Sequence, residues 1–273
     1  YRRIRNTFRF LLGNINDFDH KTDAIDLNNL LELDKWILME FKGLQKDVAD
    51  HYDSYSYHLV VQRIHNFCVN QLGGIYLDII KDRQYTTQKN SQIRRSAQTV
   101  MKLMVDQLVI LVSPILSFTA EEIWQNDEQL SSEIASVFLA ELSSIPDFSC
   151  NLDHGDWKRL LEIKDSVNQK IEESRNSGEI KGSLDTDIEL TVSSADFELL
   201  HNLSAELHFF FIVSSCKLIQ GNTLEVSIMQ SPFEKCTRCW HRNDSVGKSS
   251  KHPELCSRCE LNIDGAGEDR TFA

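Results

Sequence analysis

The first fifteen residues, Tyr1–Ile15, read YRRIRNTFRFLLGNI. The apolar side chains in this stretch recur every three or four residues: Ile4, Phe8, Leu11, Leu12 and Ile15. Since an α-helix completes a turn in 3.6 residues, this spacing predicts an amphipathic helix with one buried face.

Arginines occupy another face of the same predicted helix. Arg2, Arg5 and Arg9 are separated by three and four residues, and Arg3 lies beside them. Guanidinium groups match both phosphates and base edges, so these four residues are candidate nucleic-acid contacts. Composition alone favours the alternative, a solvated face that pairs with acidic residues of a neighbouring helix.

Helical periodicity continues outward from this stretch to about residue 145. Further helices are predicted over 33–52, 60–72, 75–83 and 96–113. We expect Gly73-Gly74 to weaken or bend the second of these, and Pro114 to interrupt the last. Thr119–Glu122 fits a capping box that would open a short helix through Trp124. The predicted fold class is therefore mostly α, with a helical bundle over residues 1–145.

Residues 146–232 have a mixed pattern. A helix is predicted from Trp157 to about Gly178, and another around Phe197–Leu203. Period-two alternation predicts a strand over Asp187–Val192. Two more strands are predicted at 209–213 and 224–228, with a turn at Gly221-Asn222. We interpret this region as a small α/β junction unit.

The last part, residues 233–273, is too short and too poor in aliphatic residues to fold by hydrophobic burial alone. It contains two C-x-x-C pairs, Cys236/Cys239 and Cys256/Cys259, separated by sixteen residues. Two such knuckles supply the four thiolates of a tetrahedral structural zinc site. We expect one zinc ion, with Arg238 and Arg258 offsetting the negative charge of the thiolates. The alternative, a pair of redox dithiols, lacks the βαβ context that such motifs have.

Trp240, His241 and Arg242 follow the first knuckle directly. A Trp on a rigid knuckle beside cations suits stacking of an unpaired base, so Arg238, Trp240, His241 and Arg242 are further candidate RNA contacts. The alternative for Trp240 is that its ring fills the small core over the metal.

Charge is distributed unevenly along the chain. The net charge of −12 divides into +3 for residues 1–105, −15 for 106–227 and zero for 228–273. The two ends are therefore compatible with a polyanion, and we expect the acidic middle to face away from it.

The seven cysteines do not form a disulfide framework, which favours a reducing, cytoplasmic compartment. No apolar run is long enough to span a bilayer, so we expect no membrane partner. The chain begins inside a predicted helix without Met or a leader, so we expect a fragment.

We find no Gly-rich phosphate loop, nucleophile elbow, H-E-x-x-H or His-x-Gly-His motif, and no catalytic residue is predicted. Lys81, Asp82 and Arg83 are interpreted as surface ion-pairing groups.

Several stretches resemble the C-terminal half of bacterial-type isoleucyl-tRNA synthetases. They are Tyr1–Asn14, His65–Cys68, Tyr76–Tyr85, Pro114–Trp124, Cys236–His241, Cys256–Cys259 and Arg270–Ala273. The resemblance is weakest over 125–156 and 193–230. It implies an anticodon-binding bundle and a C-terminal zinc module, which would contact the anticodon loop of tRNA(Ile) from two sides. It also implies that the intact protein is a class I enzyme that ligates isoleucine to tRNA(Ile). The parts that use ATP and that remove mischarged valine would then lie upstream of Tyr1. We expect the protein to be a monomer.

Three other readings remain open. Valyl- and leucyl-tRNA synthetases share the bundle, although the zinc module and the first helix favour the isoleucyl enzyme. A zinc-ribbon DNA-binding or repair module would explain the tip but not the bundle. An interaction scaffold without a nucleic-acid partner would use zinc only for stability.

Overall fold

The computed structural model describes all 273 residues and divides into two compact units. The first unit comprises residues 1–80 and 92–150, and the second comprises residues 81–91 and 151–273. Helices predominate in the chain, and the only sheet has three strands. The predicted mostly α class is confirmed. None of the helices combines the length and the hydropathy needed to cross a membrane.

The first eight helices follow one another through residue 133. They are α1 (Arg2–Asn14), α2 (His20–Asp23), α3 (Glu32–Asp53), α4 (Tyr57–Asn66), α5 (Leu77–Thr86), α6 (Gln92–Val112), α7 (Ser117–Asn126) and α8 (Glu128–Glu133). A π-helical segment (Phe67–Tyr76) joins α4 to α5, and short 3-10 turns lie at Leu27–Asn29 and Val137–Leu139. Residues 77–80 of α5 belong to the first unit and residues 81–86 to the second.

The core of the first unit forms around α6. This helix packs against α1, α3 and α7, and most of its residues are buried. The predicted face of α1 is confirmed, because Ile4, Phe8 and Leu11 are buried while Arg2 and Arg9 on the other face are exposed.

Gly73 and Gly74 lie in the π-helical segment, so the α-helix predicted over 60–72 gives way to a different helical form next to these residues. A Cβ atom at Gly73 would lie 2.8 Å from the carbonyl oxygen of Cys68, and one at Gly74 would lie 3.1 Å from that of Val69. Both carbonyls belong to residues five positions earlier, the spacing of a π-helical turn. Glycine therefore permits a close approach that any other residue would oppose.

Pro114 separates α6 from α7, as predicted. The predicted capping box at Thr119 is wrong, because α7 already begins at Ser117 and places Thr119 inside the helix. The helical hydrogen bonds start earlier, where the amide of Ala120 donates to the carbonyl of Leu116 at 2.8 Å. The turn after Pro114 thus supplies the start of the helix without a side-chain cap.

The second unit adds the remaining helices and the sheet. They are α9 (His154–Ser177), β1 (Thr186–Val192), α10 (Ser194–His201), α11 (Leu207–Phe211), β2 (Ser215–Gln220), β3 (Glu225–Gln230) and α12 (Ser257–Asp264), with a 3-10 turn at Ser183–Asp185. The predicted end of α9 is confirmed: Gly178 adopts a left-handed conformation with φ of 82°. β1 alternates buried and partly exposed residues along its whole length, also as predicted.

The strand order of the sheet is β2-β1-β3. β1 is central, parallel to β2 and antiparallel to β3. The Gly221-Asn222 turn therefore does not close a hairpin but carries the chain across one end of β1, where the amide of Gly221 donates to the carbonyl of Val192.

The strand predicted at 209–213 is wrong. Residues Leu207–Phe211 form α11, and the strand follows at Ser215–Gln220. Phe209, Phe210 and Phe211 are all buried, which a half-exposed edge strand does not allow for consecutive residues. A short apolar run is compatible with either structure, and here tertiary packing decides for a helix.

Candidate metal centre and basic surfaces

The two C-x-x-C pairs converge on one point in the second unit. The sulfur atoms of Cys236, Cys239, Cys256 and Cys259 all lie within 4.8 Å of one another, and all four residues are buried. The sulfurs of Cys239 and Cys256 are 3.8 Å apart. Thiolates bound to zinc at about 2.3 Å in a tetrahedron are separated by about 3.8 Å, so the donor set fits this ion.

Local structure places each pair. A short antiparallel bridge between Lys235 and Arg242 frames the first knuckle, with the amide of Cys236 donating to the carbonyl of His241 at 2.9 Å. Cys256 lies at the N-cap of α12, and Cys259 follows within its first turn. Helix N-termini favour negative charge, which suits a thiolate at this position.

The proximity of the four thiols opposes their simultaneous ionisation. Hydrogen bonds from Cys239 and Cys256 hold the pKa of Cys236 well below its usual range, while the same interaction with Cys236 raises the pKa of Cys239 to about 12. A divalent cation is the group that would allow all four to be thiolates. The hydrophobic side chains packed on the four cysteines are those of Val246 and Leu255, so hydrophobic burial contributes little to the stability of this cluster.

The arginines inside the knuckles do not face the sulfurs. Arg258 forms two hydrogen bonds with the carboxylate of Asp82, at 2.7 and 2.8 Å. Arg238 donates to the carbonyl of Thr86 at 3.2 Å. The expectation that both arginines offset the thiolate charge stays a prediction. Each of them is held by a hydrogen-bond partner in the stretch 81–91, which contains the end of α5.

Asp82 is the centre of a buried ionic network. Besides Arg258, its carboxylate accepts a hydrogen bond from Arg270 at 2.5 Å, and Glu268 pairs with both arginines at 3.1 Å. Burial alone would raise the pKa of Asp82, but the positive charge of Arg258 and its hydrogen bonds hold it well below the usual range. The sequence-based interpretation of Asp82 as a surface group is therefore wrong. It is ion-paired but buried.

Trp240 extends outward from the first knuckle. Its side chain is 60% exposed, and the ammonium of Lys235 lies 5.7 Å from the centre of its ring. Its φ of 68° lies in the left-handed region, where bulky residues are rare. A ring exposed to this extent does not fill the core over the metal, so that alternative is excluded.

His241 and Arg242 have different surroundings from those expected. His241 is only 7% exposed, and its ring meets Phe209 edge to face at 5.8 Å. The expectation that it contacts RNA is corrected, because it packs inward beneath the knuckle. Arg242 pairs with Asp185 at 2.8 Å and donates to the carbonyl of Phe233. Its guanidinium is therefore engaged within the unit. Nothing in the local sequence separates these two positions from Trp240.

The C-terminal residues form part of the same unit. The carboxylate of Glu206 accepts hydrogen bonds from the amides of Thr271, Phe272 and Ala273 at 2.8 to 3.0 Å. The Arg270 guanidinium stacks on Phe209, 3.5 Å from its centre. Glu206 and Phe209 had no local sequence signal, since their partners in the C-terminal segment lie more than sixty residues away.

The arginine face of α1 lies in the first unit. Arg2, Arg3 and Arg9 are exposed, while Arg5 pairs with Glu122 of α7 at 3.3 Å. An open groove of about 390 Å³ separates α1 from α7. Its lining combines apolar side chains with polar groups: Arg5, Phe8, Arg9, Leu12, Gly13, Thr119, Glu122, Ile123 and Asn126. The predicted pairing with a neighbouring helix thus applies to one arginine of the four.

Comparison with known proteins identifies similar regions. Residues 34–190 match the anticodon-binding domain of tRNA ligase, and residues 233–262 match the zinc finger found in FPG and IleRS. The chain is 41% identical to an isoleucine–tRNA ligase of Saccharophagus degradans, 42% to that of Teredinibacter turnerae and 43% to that of Legionella pneumophila strain Lens. Each alignment covers the whole of this chain and 30% of the relative. The resemblance stated from the sequence is confirmed, and the chain spans about 30% of the length of these relatives.

Proposed function

Since this chain belongs to the family of tRNA-ligase anticodon-binding domains, we propose that it recognises the anticodon loop of tRNA(Ile) within an isoleucine–tRNA ligase. The choice of isoleucine is supported by relatives of that name aligned over the whole chain, zinc finger included. In this proposal the intact protein joins isoleucine to tRNA(Ile), and ATP is used by a part that this chain does not contain.

The observation that carries the proposal is Trp240. A large ring in a left-handed conformation costs about 1–2 kcal/mol relative to an ordinary backbone conformation. This conformation presents the ring to solvent beside Lys235, where it buries little surface of its own. An exposed aromatic ring next to a cation is what stacking of an unpaired anticodon base requires.

The second part of the proposal is the arginine face of α1. Arg2, Arg3 and Arg9 contact phosphates, and Arg5 contributes from the edge of the groove once its weak surface pair with Glu122 opens. Arg238 is also proposed as an RNA contact, because its side chain is exposed. Its hydrogen bond to Thr86 leaves other N–H groups of the guanidinium for a phosphate. His241 and Arg242 are not retained, for the reasons given above.

One structural zinc ion is proposed at the four cysteines. It is supported by the sulfur geometry and by the match to a zinc finger. We also propose the functional division into a bundle (1–145), a junction unit (146–232) and a zinc module (233–273). The protein is proposed to act in the cytoplasm, which the seven free cysteines support, and to be a monomer.

The zinc-finger match also names a second class of protein, FPG. A zinc module that binds another nucleic acid is therefore the alternative function for residues 233–262. The anticodon-binding match covers more than half of the chain and favours tRNA.

The test is a binding titration of this chain with tRNA(Ile) and with a copy carrying a different anticodon. It is run at two salt concentrations, with zinc quantified in the same sample. Tighter binding to the native anticodon, weakened by salt and abolished on zinc removal, is expected. Equal binding to both tRNAs would contradict anticodon recognition.

A further inference from the structure

Both zinc knuckles place an arginine at the same position, and both arginines bind residues 82–86. The first knuckle reads Cys236-Thr237-Arg238-Cys239, and the second reads Cys256-Ser257-Arg258-Cys259. Arg238 reaches the carbonyl of Thr86, and Arg258 reaches the carboxylate of Asp82. Two separate loops, brought together at the metal position, thus hold one stretch of chain from two points.

We propose that these two contacts form a zinc-dependent clamp on the end of α5, and that Asp82 is the residue that positions Trp240 for RNA. The second half rests on the proposed function of Trp240, whereas the first half does not.

The strength of the clamp lies in Asp82. Its contact with Arg258 is a bidentate ion pair in which the two side chains are only 13% and 19% exposed. Such pairs are shorter and stronger than neutral hydrogen bonds and fix the orientation of both partners. Removing the charge of Asp82 leaves Arg258 and Arg270 to share the single carboxylate of Glu268, so this poorly solvated network loses one of its two negative charges.

One further contact fixes the same stretch, and a second one extends the network. The side chain of Gln88 donates to the carbonyl of Gly265 at 2.9 Å, directly after α12. Asn262 of α12 donates to Glu268, which in turn pairs with Arg258 and Arg270. Residues 81–91, α12 and the C-terminal segment are therefore parts of one network that starts at the second knuckle.

Zinc controls this network because hydrophobic burial contributes little to the knuckles. The hydrophobic side chains packed on the four cysteines are those of Val246 and Leu255. Without the ion, the two loops lose the constraint that presents Arg238 and Arg258 to the same stretch of chain. The ring of Trp240 belongs to the first loop, in which Arg238 binds Thr86 and the neighbouring His241 ring lies 4.0 Å from the carboxylate of Asp82. These contacts therefore set the position of Trp240 relative to the end of α5.

The first arm of the test measures hydrogen exchange of the whole chain with and without a zinc chelator. Peptides covering residues 81–91 are expected to exchange roughly tenfold faster, or more, after chelation. Asp82→Asn with zinc bound is expected to do the same, whereas Asp244→Asn is the matched control. Asp244 makes an exposed pair with Lys248 in the same module. If chelation accelerates hydrogen exchange in the knuckle peptides but leaves the exchange of residues 81–91 unchanged, the zinc-dependent clamp is wrong.

A second variant guards against a misfolded Asp82→Asn protein. Arg258→Lys keeps the positive charge but not both hydrogen bonds, so an intermediate acceleration at 81–91 is expected with zinc retained. Protection equal to that of the unsubstituted chain would count against the clamp.

The second arm measures tRNA(Ile) affinity in a double-mutant cycle. Trp240→Ala is expected to weaken binding by roughly 5- to 150-fold in the unsubstituted chain. In the Asp82→Asn background the same change is expected to weaken it less than about threefold, because the ring is already misplaced. Equal factors in both backgrounds would refute positioning by Asp82. No effect of Trp240→Ala in either background would refute the proposed function, and the exchange arm alone would then decide the clamp.

Discussion

The indole ring of Trp157 lies nearly parallel to the ring of Phe272, with centroids 5.6 Å apart and 17° between the planes. Trp157 is on α9, and Phe272 belongs to the C-terminal segment that Glu206 holds through its backbone amides. Phe210 packs against both rings. The C-terminal segment is thus a component of the core of the second unit and not a loose tail.

Phe272→Ala tests this role. The side chain is almost fully buried, so its removal is expected to lower the free energy of unfolding of the second unit by about 3–5 kcal/mol. Hydrogen exchange of peptides from α9, measured across a denaturant titration, reports the decrease for the second unit separately from the first. Phe233→Ala is the control, since its ring is exposed and a change below about 1 kcal/mol is expected. Similar decreases for both variants would show that Phe272 is not a core residue.

Asp106 provides a test by pH. Burial raises the pKa of this carboxyl to about 6, although Lys102 at 2.6 Å opposes the shift. Because the unfolded pKa is about 3.9, the folded state favours the protonated form, and stability is expected to rise as pH falls from about 7 towards about 4. Asp106→Asn removes this dependence and, above about pH 6, is expected to stabilise the first unit by on the order of 1–2 kcal/mol.

In the Asp106→Asn variant Lys102 keeps an ion-pair partner, because the carboxylate of Asp127 lies 3.2 Å from its ammonium. The measurement is the unfolding midpoint at several pH values for both proteins. Asp50→Asn, at an exposed position of α3, is the matched control for the substitution itself. Parallel profiles for the unsubstituted chain and Asp106→Asn would disprove the assignment.

The arginine face of α1 predicts a salt effect. Replacing Arg2, Arg3 and Arg9 by Gln is expected to lower the slope of log affinity for tRNA against log salt by roughly one for each phosphate that is no longer neutralised. The comparison is a triple Gln variant of exposed cations in the acidic second unit, at Lys170, Arg175 and Lys181. If both triple variants change the slope equally, net charge and not the α1 face determines the effect.

Trp240→Gly makes two predictions of opposite sign. Glycine adopts a φ of 68° without steric cost, so stability is expected to rise by up to about 1 kcal/mol. Affinity for tRNA(Ile) is expected to fall by roughly 5- to 150-fold with zinc retained. Trp240→Phe keeps a stacking surface and should weaken binding far less. Undiminished affinity in the Gly variant would rule out stacking.

Local periodicity was enough to predict the elements whose burial repeats along the chain. The apolar face of α1, the alternation of β1 and the glycine that ends α9 each follow from a pattern within one segment. The prediction of a strand at 209–213 was wrong because three consecutive buried phenylalanines are compatible with either a helix or a buried strand.

The convergence of the four cysteines was predictable because the spacing of the two C-x-x-C pairs itself encodes such a cluster. The partners of the knuckle arginines were not, since 176 residues separate Asp82 from Arg258. The burial of His241 beside Phe209 likewise depends on how α11 packs beneath the knuckle. A single sequence contains no signal for such pairs.

The sheet order has a consequence for biosynthesis. β1 is the central strand, yet it is the first of the three to leave the ribosome, and its partners begin only at Ser215 and Glu225. For more than twenty residues of synthesis this strand therefore has two unpaired edges, the condition under which nascent chains associate wrongly. Asp187 and Glu189 lie on its partly exposed face, and negative charges on an unpaired strand oppose its pairing with a second copy of itself.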